Sequence, residues 1–220
     1  MKNINLDTER QIRCGIPEVV YGIGKSKEDL VEITERFLKD SGRVIITRID
    51  EDKATEVVNS IRNKKLNIIH NQKGRVLVIK KKKFKTKKIG MVGIITAGTS
   101  DIPIAEEAKA IAEELGCDTI CEYDIGIAGI HRIFPALKRM KNSRVLIVVA
   151  GMEGALPSVI SGLVNVPVIG VPTSTGYGIG KGGIAALFTM LNSCTPVAVM
   201  NINNGYGAAV LAYQILNSSR

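Results

Sequence analysis

From position 89 onward the chain alternates short apolar runs with longer segments of helical periodicity. "IGMVGIITAG", "DTICEYDI", "RVLIVVAG", "PVIGVP" and "PVAVMNI" read as strands. Between and after them, "DIPIAEEAKAIAEELG", "GIHRIFPALKRMK", "GALPSVISGLV", "GGIAALFTMLNS" and "GAAVLAYQILNS" read as helices. The strand runs lack the polar–apolar alternation of a half-solvated sheet, so they predict strands buried on both faces. Each strand followed by a helix means parallel pairing, and right-handed crossovers make a doubly wound α/β sandwich over residues 89–220.

The first part of the chain has a different rhythm. Ser26 opens a capping box with Asp29 for the amphipathic helix "KEDLVEITERFLKD", which Gly42 should stop. "RVIITRI" then predicts a strand, "DKATEVVNSI" a helix, and "LNIIH" and "RVLVI" two more strands. This is a small N-terminal α/β unit. With the less periodic stretch "DTERQIRCGIPEVVYGIGK", expected to be an extended arm, it occupies residues 1–80.

Charge marks the boundary. The chain carries 30 basic and 21 acidic residues, a net charge of +9. Nine basic residues and no acidic one lie between Lys73 and Lys88, so this run alone equals the excess. A solvated linker or an edge strand is the expectation, with residues 81–88 taken as a basic linker. Recruitment of phosphate-bearing ligands or RNA is the other use of such a run. Aromatic residues are scarce and tryptophan is absent, which argues against a stacking platform for single-stranded nucleic acid. The polar start "MKNINLDTERQIRCG" has no apolar signal core, and no apolar run reaches the roughly 18 residues of a membrane span. Cys14, Cys117, Cys121 and Cys194 therefore read as reduced thiols of a cytoplasmic protein.

Ligands of doubly wound sheets lie outside the carboxyl ends of the strands. That rule selects "AGTSD", "YDIGIAGIHR", "AGMEGALP", "VPTSTGYGIGKGG" and "NINNGYG", which are rich in glycine and unusual polar residues. Two Gly-Lys pairs imitate a P-loop and fail: Val19 and Thr175 stand where its first glycine belongs, and Gly182 replaces the magnesium-binding hydroxyl. "GYGIGKGG" still offers backbone N–H donors to an anion, or is a tight turn. In "AGTSD", Ser100 as N-cap with Asp101 favouring the helix dipole explains the residue types as well as a ligand does. Cys117 and Cys121 lack further ligands at zinc spacing, since the histidines are His70 and His131, and read as core thiols. His131 beside Arg132 is a candidate pair. Glu153, set among glycines after a buried strand, is expected to be desolvated and so suited to proton transfer, unless it only complements a helix start. Cys194 sits in the polar gap "NSC" between a helix and a strand, an odd place for a packing thiol.

Taken together, "GTSD", "IHR", "AGMEGALPSVISGL", "VIGVPTS" and "PVAVMNINNGYGAAVLAYQIL" resemble the aminoimidazole ribonucleotide carboxylase/mutase (PurE-like) superfamily, whose sheet is a flavodoxin/Rossmann-type sandwich. The purine enzymes carry Ser-Asp, then Ser-Ala-His-Arg, then "AGGAAHLPG" in these loops; here the third loop has Met152-Glu153 and no histidine. "AGMEGALPS", "PTSTGYG", "NSC" and the N-terminal "PEVVYGIGKS" resemble instead the pyridinium-3,5-biscarboxylic acid mononucleotide synthase (LarB) family. That likeness implies carboxylation and hydrolysis of nicotinic acid adenine dinucleotide, or binding of an NAD-like dinucleotide, in the making of a nickel-pincer nucleotide. It implies CO2 or bicarbonate as co-substrate, AMP as product, no tightly bound cofactor, candidate Mg2+ and a homo-octamer, while the composition argues for no membrane and against nucleic acid as a partner.

The implied site has Cys194, Glu153, Asp101 and His131 in catalytic roles. Gly98, Thr99, Ser100, Arg132, Gly151, Met152, Gly154, Pro172, Thr173, Ser174, Tyr177, Gly178, Lys181, Asn203, Asn204 and Gly205 would bind the substrate. Pyridinium and CO2 are both electrophiles and do not combine directly. A thiolate adding to ring C4 creates a dihydropyridine enamine whose C5 can attack CO2. A base then takes the C5 proton, and departure of the thiolate restores the aromatic ring. Cysteine is both nucleophile and leaving group here. The purine carboxylase/mutase, whose substrate is already an enamine, is the alternative; a nucleotide- or RNA-binding module using Lys73–Lys88 is the second.

Overall fold

The computed structural model describes residues 4–61 and 65–218. It divides into two compact units, Met1–Thr86 and Lys87–Arg220. No described helix is long and apolar enough to cross a membrane.

In the first unit, the stretch expected to be an extended arm instead holds a short helix, α1 (Arg10–Cys14), and a strand, β1 (Val20–Tyr21). Gly15, in the left-handed conformation, ends that helix. Helix α2 (Lys27–Asp40) begins where Ser26 Oγ accepts the Asp29 amide at 3.1 Å. It buries Leu30, Ile33, Thr34, Phe37 and Leu38, one stripe of a 3.6-residue period. Then come β2 (Arg43–Thr47), α3 (Glu51–Ser60), β3 (Leu66–Asn71) and β4 (Val76–Lys81). The sheet order is β1-β2-β4-β3, with β1 and β2 parallel and the other pairs antiparallel. Val44, Ile46, Leu77 and Ile79 meet Leu30 and Phe37 in one core, where truncating Phe37 to alanine would cost about 3–5 kcal/mol. The strand within the basic run is thus not an edge strand. Val76–Lys81 pairs on both sides, and the exposed edge is β3, where Ile68 and Ile69 reach solvent.

The second unit follows the predicted alternation. Its elements are β5 (Gly90–Thr96), α4 (Ile102–Leu115), β6 (Cys117–Glu122), α5 (Ile133–Arg139), β7 (Val145–Ala150), α6 (Leu156–Ser161), β8 (Val168–Pro172), α7 (Ile184–Leu191), β9 (Ala198–Val199) and α8 (Gly205–Ser218). The five strands are parallel in the order β6-β5-β7-β8-β9, the flavodoxin-like arrangement. All six residues of β7 are buried, as a central parallel strand requires. Helices α5, α6 and α7 cover one face through Ile133, Leu156, Ile160 and Met190. Helix α4 packs against α8, and both bury alanines at the contact (Ala105, Ala108 and Ala112; Ala208, Ala209 and Ala212). Small side chains let the two backbones approach closely. The strand order reverses between β5 and β7, which puts the ligand crevice at their carboxyl ends.

Candidate functional site

A cleft of about 480 Å3 lies at that switch point. Its walls are Ala97–Asp101 after β5, the turn through Asp124, Gly126 and Ile127 after β6, and Gly151–Glu153 with Leu156 after β7; Thr175, after β8, closes one side. Short 3-10 turns at Thr99–Asp101, Ile127–Arg132 and Gly178–Gly183 bring the chain from strand into helix around it. Of the residues expected to act, Gly98, Thr99, Ser100, Asp101, Gly151, Met152 and Glu153 line this one cavity.

Asp101 is the organising group. One carboxylate oxygen accepts Thr173 Oγ1 at 2.7 Å and the other the Gly98 amide at 2.9 Å. Both Asp101 and Thr173 are buried. Burial pushes the Asp101 carboxyl above its ordinary range, while donors from Thr173, Gly98 and Gly151 pull it back. The clamp ties the loops after β5, β7 and β8 together. Ser100 does not cap the helix, contrary to expectation; it is exposed, and it is the Asp101 carboxylate that reaches back to the Gly98 amide. Glu153 also departs from expectation. It is exposed, because Met152 at φ 54° and Gly154 at φ 70° turn the chain outward at the cleft rim.

Glycine is required by close approach at two points. A Cβ on Gly151 would lie 2.4 Å from the Thr175 carbonyl oxygen, and one on Gly154 2.7 Å from the Ala186 backbone. The Met152 amide donates to the Thr175 carbonyl at 2.7 Å and the Thr173 amide to that of Ala150 at 3.0 Å, stitching the third and fourth loops. Ser174 and Asn203 exchange two hydrogen bonds of 2.9 Å, and the Asn203 amide donates to the Pro172 carbonyl at 2.8 Å. Asn203 and Pro172 therefore join the fifth loop to the fourth. Asn204 caps α8 by accepting the Gly207 amide at 2.8 Å, with buried Gly205 opening the helix.

Arg132 donates to Asp124, a cleft residue, at 3.1 Å. Asp124 is fixed in turn by its amide, which donates to Thr96 Oγ1 at 3.0 Å. His131 is exposed on the same turn, and Tyr177, Gly178 and Lys181 are exposed on the turn before α7. Asp124, Gly126, Ile127 and Thr175 line the cleft too; the carboxyl-end rule selected their loops, but nothing in the sequence singled out these residues within them. For Mg2+ the fit is poor. Both Asp101 oxygens already hold donors, Asp124 faces Arg132, and among the described residues no three acidic, histidine or cysteine side chains converge on a cation.

Cys194 is brought to none of this. It is exposed, three residues past α7 and four before β9, so it stands at the amino ends of the parallel strands. The neighbouring Thr195 and Pro196 are tied to Ser158 and Ser161 of α6 at 3.0 and 2.7 Å. The length of β8, about 17 Å for five residues, separates the thiol from the cleft of its own chain.

Residues 91–220 match the AIR carboxylase family. The chain belongs to that family. Residues 1–82 match the LarB/PurE-like N-terminal domain, so this member carries a second unit ahead of the carboxylase-type sandwich. An uncharacterized protein of Methanocaldococcus jannaschii is 52% identical over 215 residues, covering 96% of this chain and 83% of that one. The N5-carboxyaminoimidazole ribonucleotide mutase of Thermotoga maritima is 35% identical over 133 residues, 57% of this chain and 74% of the mutase. Among solved structures, a PurE2 variant of Treponema denticola superposes with a TM-score of 0.51 at 21% identity, covering 59% of this chain and 81% of that one. That likeness shows the shared sandwich fold.

Proposed function

We propose that this family member is a carboxylase and hydrolase of nicotinic acid adenine dinucleotide, producing pyridinium-3,5-biscarboxylic acid mononucleotide and AMP. One observation carries the reading: residues 1–82 match the LarB/PurE-like N-terminal domain, whereas the mutase alignment covers 57% of the chain. The exposed thiol of Cys194 supports it, since a purine substrate needs no nucleophile.

In this reading the Cys194 thiolate bonds to pyridinium C4 and ring C5 then bonds to CO2. A base takes the C5 proton, and the C4–S bond breaks to return the thiolate. Glu153, which lines the cleft at its rim, is the base, because both Asp101 oxygens are already engaged with Thr173 and the Gly98 amide. Arg132 and Lys181 meet the substrate phosphates, with His131 beside them, and the amides of the glycine-rich turn donate to the anhydride oxygens while water splits the anhydride. CO2, the dinucleotide and one water are consumed, and AMP and the biscarboxylated mononucleotide are released.

Incubation with nicotinic acid adenine dinucleotide and bicarbonate, followed by mass spectrometry, tests the assignment. The expected products are AMP and the biscarboxylated mononucleotide. Turnover of carboxyaminoimidazole ribonucleotide with no reaction of the dinucleotide would return the purine reading to first place.

A further inference from the structure

The proposed reaction moves a proton at two places: from ring C5, and from the water that splits the anhydride. Among the described residues, the titratable side chains lining the cleft are Asp101, Asp124 and Glu153. Both oxygens of Asp101 already hold donors, and Glu153 serves the ring. Asp124 is the carboxylate left for the water.

The chain around Asp124 is built to hold it in place. Its backbone is left-handed at φ 58°, an uncommon state for a residue other than glycine and one that collects at functional sites. The amides of Asp124 and Ile125 donate to Thr96 Oγ1 and to the Thr96 carbonyl, both at 3.0 Å, which fixes the turn to the end of β5. Gly126 brings the same turn against the next loop, where a Cβ would lie 2.8 Å from the Ala97 carbonyl oxygen. The Arg132 guanidinium folds back over Gly129, where a Cβ would come within 2.5 Å of Nε, and Arg132 Nη1 donates to Asp124 Oδ2 at 3.1 Å. One carboxylate oxygen is thus tied to the arginine. The other, Oδ1, has no hydrogen-bond partner among the described residues.

We propose that Asp124 is the base of the hydrolytic half-reaction, holding the attacking water through Oδ1 while Arg132 binds the phosphate beside it. The inference rests on the carboxylase and hydrolase reading and deepens it, giving the second half of the reaction its own wall of the cleft. The water oxygen bonds to one phosphorus as the bridging P–O bond breaks, and that electron pair leaves with the other phosphate. A water proton passes to Asp124 and from there to solvent, while Arg132 offsets the charge on the phosphoryl oxygens. Position agrees with this division of labour. Asp124 follows β6 and Glu153 follows β7, with β5 between them, so the strand ends carrying the two carboxylates are about 10 Å apart. The dinucleotide likewise sets a ribose between its two reacting centres, the pyridinium ring and the anhydride. The ring chemistry does not touch the anhydride, so carboxylation proceeds on the intact dinucleotide.

Asp124→Asn tests the assignment, because asparagine tolerates the left-handed turn and still accepts from Arg132 but cannot take the proton. The full-length variant, confirmed folded by circular dichroism, and the wild type receive nicotinic acid adenine dinucleotide and bicarbonate, and mass spectrometry follows every nucleotide. AMP release is expected to fall by about 100-fold or more, while dinucleotide heavier by one CO2 accumulates in the variant. AMP release near the wild-type rate overturns the proposal. A joint fall of carboxylation and AMP release also overturns it, since that marks a role in binding rather than in hydrolysis. If the wild type itself leaves the dinucleotide unchanged, the carboxylase reading falls and this inference with it.

Discussion

Thr173→Val keeps the shape of a buried side chain while deleting the hydroxyl that donates to Asp101 at 2.7 Å. A hydrogen bond to an ionised group in a buried place contributes about 1.5–3 kcal/mol, and here the acceptor remains behind without water to replace the donor. A loss of about 2 kcal/mol at neutral pH is expected. The loss should depend on pH in a definite sense. Burial raises the Asp101 carboxyl in the folded chain. Below its unfolded-state value both states are protonated and the penalty for burying charge is absent; as pH rises through the folded-state value, the penalty comes fully into force. Deleting the Thr173 donor raises the folded-state value further, and each added unit is worth about 1.36 kcal/mol. The stability gap between wild type and variant therefore widens as pH rises and narrows as it falls. Urea unfolding followed by circular dichroism, at neutral and at mildly acidic pH, measures it. An equal gap at both pH values, or one under roughly 0.5 kcal/mol, would refute the account of this clamp.

Burial pushes the Cys117 thiol up to about 11, with Asp118 beside it adding to the effect. Iodoacetamide at mildly alkaline pH should label Cys14 and Cys194 quickly and leave Cys117 unmodified in the folded chain, as peptide mapping would show; rapid labelling of Cys117 would contradict its burial. Gly154→Ala forces a Cβ into a left-handed backbone and against Ala186, so a loss of about 3 kcal/mol is expected in thermal or urea unfolding, where a neutral result would count against the loop geometry. Neutralising Lys82 and Lys83 should leave kcat unchanged, with any effect confined to a salt-sensitive KM; a fall in kcat would bring the basic run into the chemistry.

Much of the second unit was legible because a parallel strand buried on both faces writes an uninterrupted apolar run, as Val145–Ala150 does. The carboxyl-end rule then selected the loops that line the cleft. What the residue string concealed was direction. Asp101 and Ser100 are adjacent and both suit a helix start, yet only tertiary structure decides that the carboxylate turns inward to Thr173, seventy-two residues away, while the hydroxyl faces solvent. Glu153 looked enclosed among small residues, but the left-handed backbone of Met152 and Gly154 carries it outward. In the first unit a hydrophobic strand ending in lysines resembled an edge, and its central place depends on the long-range pairing with Arg43–Ile46. The distance of Cys194 from the cleft follows from topology, since any residue between a crossover helix and the next parallel strand lies at the amino edge.

The central claim is that Cys194 makes the dinucleotide nucleophilic toward CO2. The most direct measurement supplies isotopically labelled bicarbonate and nicotinic acid adenine dinucleotide to the wild type and to Cys194→Ala, both first confirmed folded by circular dichroism, and weighs the nucleotide products. The account predicts labelled biscarboxylated mononucleotide from the wild type and none from Cys194→Ala. Labelled product from the Cys194→Ala protein would contradict it.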